Sequence, residues 1–114
     1  MSICKFLPLE KETMTSTSLY GGVKVRCRVV ACPRSVIVHI LDGRFNRFRT
    51  RRFTENTFAG VDKFTSLLDS IKSAEPFLQS LAIAHVLART AIETLSVNEI
   101  LQLYNTYSPI SKGW

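Results

Sequence analysis

The sequence predicts an α+β domain, a three-stranded antiparallel β-meander followed by two or three packed α-helices. Three observations predict it. From Val23 to Ala31 apolar and basic residues alternate with period two, and Val36–Leu41 is a continuous β-branched run. After Phe53 apolar residues recur at helical spacing instead. Nine of the fifteen bases fall between Val23 and Thr54 against a single acid, Asp42, so the strand half carries the positive charge. At 114 residues and 46% apolar, the chain is long enough for one modest core and too apolar to be disordered by default.

Residues 1–20 are expected to be a flexible N-terminal arm, and 21–114 the single domain. Pro8 interrupts the apolar Phe6, Leu7 and Leu9, and Thr13–Ser18 is polar, uncharged and without periodicity. Met1–Lys5 leads into Glu10, Lys11 and Glu12 without the apolar stretch of a secretory signal, so a cytoplasmic or nuclear location is expected.

In the first strand Val23, Val25, Cys27, Val29 and Ala31 face one way and Lys24, Arg26 and Arg28 the other. Cys32-Pro33-Arg34-Ser35 supplies a turn, because proline cannot continue a central strand. The run Val36–Leu41 reads as a strand covered on both faces. Asp42-Gly43 signals a two-residue hairpin, since both residues tolerate positive φ. In the third strand, Arg44 to about Phe53, Phe45 and Phe48 are three apart, which predicts a bulge or a short strand.

Val61, Phe64, Leu68 and Ile71 make a helical stripe. Ser73 is placed to cap the next helix, with Glu75 and Pro76 in its first turn. From Phe77 to Leu95 almost every side chain is apolar or small, as in a central or interface helix; Phe77, Leu81, Ala84, Ala88 and Ala91 are the candidates for self-association into a homo-oligomer. Ser96 and Glu99 form a capping box for a last helix from Val97 to Tyr104, with Leu95 and Ile100 as its hydrophobic staple.

Catalytic patterns are missing. Gly21-Gly22-Val23-Lys24 lacks the spacing of a phosphate loop, and the carboxylates are scattered. His39 and His85 each stand alone in an apolar element, and a Cys27–His39 pair would have no orienting third group. Cys4, Cys27 and Cys32 fit reduced thiols, and no histidine completes a zinc set, so no metal and no cofactor is expected.

The basic residues carry the functional reading. Lys24, Arg26, Arg28, Arg44, Arg47, Arg49, Arg51 and Arg52 are the candidates for binding nucleic acid through the phosphate backbone, RNA in particular. Arginine grips phosphate with a planar fork, and the interleaved Phe45, Phe48 and Phe53 could stack on unpaired bases or lie in the core. The competing partners are an anionic membrane surface, where each cation adds about 1 kcal/mol, and an acidic protein. A plain solvated basic face, or a short nuclear import element at Arg49–Arg52, accounts for the same residues.

The order of a basic strand region, an amphipathic helix and a small-residue-rich apolar helix beginning Pro76-Phe77-Leu78 resembles the globular part of rhabdovirus matrix proteins over Leu19 to Ala91. That resemblance implies a basic protein that self-associates, binds membrane and condenses nucleocapsid; it rests on no specific motif and assigns no residue a role. Double-stranded-RNA-binding domains also place three antiparallel strands before a helix. Their leading helix has no counterpart in Met1–Ser18, nor has their basic helix start in Gly60-Val61-Asp62-Lys63.

Overall fold

Four strands and two helices follow one another: β1 (Glu12–Ser18), β2 (Lys24–Cys32), β3 (Ser35–Leu41), β4 (Arg47–Thr54), α1 (Pro76–Glu93) and α2 (Val97–Tyr107). The computed structural model describes residues 12–19, 22–54 and 73–107, with Leu7, Thr57 and Ser70 besides. The stripe Val61–Ile71, Cys4, the residues after Tyr107 and most of the first eleven residues lie outside the described residues.

The strands form one antiparallel sheet in the order β1-β2-β3-β4. The meander therefore has four strands where three were expected, because Thr13–Ser18, read from sequence as part of a flexible arm, is β1, paired in regular register with β2 from Glu12↔Val30 to Ser18↔Lys24. Hydropathy hides this strand. Its inward positions Thr13, Thr15 and Thr17 are polar yet β-branched, so they suit a pleated edge without showing an apolar alternation.

Period-two alternation divides the sheet into two faces. Val25, Cys27, Val29, Ala31, Val36, Val38, Ile40 and Phe53 point to one side and are buried together. α1 packs on that side against β1, β2 and β3. It buries Ile83, Ala84, Leu87, Ala88, Ala91 and Ile92, a stripe whose alanines let the helix axis come close to the sheet. β3 was expected to be covered on both faces; on its other side Leu41 is buried, but Ile37 and His39 remain partly exposed.

Local chemistry sets the helix ends. Pro76 occupies the first turn of α1, where its missing N–H is harmless. Ser73 does not cap it; the N-cap is Glu75, without a side-chain hydrogen bond. At α2 the capping box forms as expected. Glu99 N–H donates to Ser96 Oγ at 3.2 Å, and Ser96 N–H donates to Glu99 Oε1 at 3.0 Å. α2 runs to Tyr107, three residues past the expected end at Tyr104.

The β3–β4 connection differs from the two-residue turn expected at Asp42-Gly43. Asp42 N–H donates to Asn46 O and Phe45 N–H donates to Asp42 O, leaving Gly43, Arg44 and Phe45 as a three-residue loop. The Asp42 carboxylate fastens the loop, accepting the N–H of Arg44 at 2.8 Å and of Asn46 at 2.9 Å. Phe45 takes the left-handed position, φ 65°, which costs a bulky residue about 1–2 kcal/mol. The bulge expected in the last strand is present: Ile40 pairs with Arg49 but Leu41 with Arg47, so Phe48 is the extra residue.

Candidate nucleic-acid interface

The face of the sheet turned away from α1 is built in rows across the strands. One row is Glu12, Val30, Ile37 and Arg52; the next is Met14, Arg28, His39 and Thr50. Beyond them lie Ser16 beside Arg26 and, beside Arg47, Leu41, which is fully buried so that the face is covered at this end; Lys24 ends the face opposite Ser18. Five of the eight expected contact residues thus share this open face: Lys24, Arg26, Arg28, Arg47 and Arg52. Neighbours within a row stand about 4.8 Å apart, and successive rows, two residues along a strand, about 7 Å apart.

The other three lie elsewhere. Arg44 sits in the β3–β4 loop. Past the bulge, alternation turns Arg49 and Arg51 toward the helical side, in register with the buried Ile40 and Val38. Arg49 Nε lies 3.0 Å from the Glu99 carboxylate of α2, and the Arg51 guanidinium lies 4.9 Å from the Phe53 ring centroid. Glu99 is held below the usual carboxylate range, first by the Ser96 N–H and then by the Ser96 hydroxyl and Arg49. The basic residues therefore do not form one continuous cluster.

On the open face the cations differ in what holds them. Arg28 Nε lies 3.3 Å from the Glu12 carboxylate, a partly exposed pair of the kind that contributes at most about 1 kcal/mol. Arg52 Nη1 donates to Ser35 Oγ at 3.0 Å. Arg26 is held by rings: its guanidinium carbon is 4.0 Å from the Phe45 centroid and 5.1 Å from that of Tyr107. Its Nε, like that of Arg28, is buried and makes no hydrogen bond among the described residues.

Tyr107 comes from the end of α2 and completes the sheet where β2 and β3 part. Its hydroxyl accepts the Arg26 N–H at 3.1 Å and donates to the Leu41 carbonyl, taking the place of a ladder bond. Burial pushes the phenol up, which keeps that donor proton in place. Gly43 N–H donates to Thr106 Oγ1 at 2.8 Å, so the loop that carries Phe45 is tied to the same helix.

His39 lies at the centre of the open face, its Nδ1 2.9 Å from Thr50 Oγ1. Partial burial, then Arg47 and Arg28, lower its pKa from 6.5, and Glu12 opposes them. The Cys27–His39 pair considered from sequence is not formed, because Cys27 is buried on the opposite face and its thiol is pushed up to about 12 by desolvation. Cys27 and Cys32 are both free thiols. Among the described residues no three His, Cys, Asp or Glu are grouped to hold a metal.

Of the rings, Phe53 is fully buried, Phe48 packs against the core, and Phe45 is 54% exposed. Of the residues expected to mediate self-association, Ala84, Ala88 and Ala91 are turned inward onto the chain's own sheet. They are closed to a second copy, which would have to displace that sheet to reach them. Leu81 is half-buried, and Phe77 at the start of α1 is 70% exposed. No single helix among the described residues is long and apolar enough to cross a membrane.

Sequence reasoning found the cations of the face but not the residues that shape it. Tyr107 gave no signal, since its partners Arg26 and Leu41 are remote in the chain. Asp42 gave one, as an Asx residue heading a turn. No protein-family model matches the chain, and neither does any curated protein or solved structure.

Proposed function

We propose that this is a non-enzymatic nucleic-acid-binding protein that holds the phosphate backbone, of RNA above all, on its open sheet face with little sequence specificity. The observation that carries the proposal is the state of the cations there. Lys24, Arg26 and Arg47, with Arg44 in the adjoining loop, make no ion pair among the described residues; Glu12 lies beside Arg28, and the Asp42 carboxylate is taken up by the loop N–H groups of Arg44 and Asn46. A flat face of this width offers donors in rows to an extended polyanion, and a weak pair such as Arg28–Glu12 yields to a phosphate. A cytoplasmic or nuclear place goes with this role.

The test compares two sets of substitutions over a salt series. Replacing Arg28, Arg47 and Arg52 by Ala should lower the log–log salt slope for RNA by about 2–3, at roughly 0.7–0.9 per phosphate contact. Replacing Arg49 and Arg51 should lower it far less. Equal effects from both sets, or RNA binding that ignores salt, would sink the proposal. Flotation with anionic liposomes tests a membrane surface as the polyanion, and binding there without RNA binding would replace RNA as the partner.

Self-association is a second reading, supported by β1. A sheet edge is normally guarded by charge or proline. β4 is so guarded by Arg47, Arg49, Arg51 and Arg52, whereas β1 carries one charged residue, Glu12, and no proline. Two copies paired antiparallel through β1 about Thr15 would keep the two Glu12 side chains apart. Their basic faces would lie on the same side of one continuous sheet, and avidity would reinforce each.

A further inference from the structure

We infer that Arg26 and Phe45 form a subsite for one unpaired nucleotide, the guanidinium taking the phosphate and the ring stacking on the base. This deepens the function proposed above and rests on it.

Three observations converge there. First, the Arg26 guanidinium is stacked between two rings and has no acceptor among the described residues, with a buried Nε that makes no hydrogen bond. The buried Nε is out of an outside ligand's reach, but the terminal nitrogens of Arg26 are not buried in this way, and a planar fork set between rings is preorganised for phosphate. Second, Phe45 holds φ 65°, where glycine would sit without strain, and stays 54% exposed. The ring packs on Arg26 yet leaves much of itself to solvent, and strain of this kind gathers at ligand sites. Third, the loop is fixed twice over, by the Asp42 carboxylate from within and by Gly43 on Thr106 from α2. The Phe45 ring lies on Arg26, so a base stacked on it would sit beside the guanidinium that would hold the phosphate.

A base inside a duplex has no free π-face to offer, so the subsite selects single strands. The base rather than the sequence is read, because every base can stack.

The experiment measures binding of a short mixed-sequence RNA strand, the same strand with abasic sites, and its duplex. Phe45→Gly suits the backbone conformation, so the fold survives. It should weaken binding of the intact strand about ten-fold, at the stacking range of a single base, and leave the abasic strand, the duplex and the salt slope unchanged, since no charge is removed. Phe45→Trp should restore single-strand affinity. Arg26→Lys, which keeps the charge and loses the fork, should weaken intact and abasic strands alike. Unchanged single-strand affinity in Phe45→Gly, or equal loss for all three probes, overturns the subsite while leaving the basic face standing. If the unaltered protein binds none of the three, the proposed function falls and the subsite with it.

Discussion

Gly43 is pressed against the backbone of Thr106 so closely that a Cβ built on it would stand 1.9 Å from the Thr106 carbonyl oxygen. The obstacle is main chain of α2, which cannot swing aside as a side chain would. Gly43→Ala should therefore part the β3–β4 loop from α2 and destabilise the fold by about 1–3 kcal/mol. Thermal unfolding should show the midpoint lowered by roughly 5–15 °C. An unchanged midpoint would mean that the loop does not dock on the helix in solution.

Tyr107→Phe removes a single oxygen and orphans two backbone groups, the N–H of Arg26 and the C=O of Leu41. Each is at the edge of the core, so the loss should be about 1–3 kcal/mol, more than a surface hydroxyl would contribute. Arg26 keeps both rings in this variant. Denaturant unfolding should accordingly report the loss while the far-ultraviolet dichroism stays native.

His39 predicts a pH dependence. Its folded pKa lies below 6.5, so it is neutral at pH 7, and the stability this contributes is present above 6.5 and lost as pH falls through the folded value. A phosphate bound beside Arg28, Arg47 and Thr50 would offset their repulsion and the effect of burial, raising the pKa toward protonation. Affinity for RNA should then increase a few-fold between neutral and mildly acidic pH, with uptake of a proton. His39→Gln keeps a partner for Thr50 without titrating and should flatten the curve.

Ser16→Lys tests the β1 edge. Ser16 points outward on the open face, and in a pairing centred on Thr15 the two introduced lysines would flank the symmetry axis. Sedimentation velocity should show the unaltered protein as a dimer at high concentration and the variant as a monomer. A monomer in both cases would remove the second reading.

How much of this the sequence foretold depends on how far apart the responsible residues are. The Ser96–Glu99 capping box was legible because its partners are three residues apart, and β2 was legible from the alternation of valines with basic residues. β1 was not, since threonine and serine leave no hydropathy contrast. The facing of the arginines failed at a single residue: the bulge at Phe48 shifts the parity, so Arg49 and Arg51 join the helical side while Arg47 stays on the open one. Loop length at Asp42 was misread, since Asp-Gly signals two residues where the loop has three. Rings were separable only by structure, Phe53 into the core and Phe45 into solvent.

The bond from Tyr107 to Arg26 spans 81 residues. The hairpins of the sheet close over short distances and need little loop entropy, whereas this contact must wait for nearly the whole described chain. On a ribosome the strands emerge first, so the sheet would assemble while Arg26, already beside Phe45, still lacks Tyr107 as second ring and main-chain brace. The last helix thus acts as a late clasp: a nascent chain has its basic strands before Tyr107 joins them.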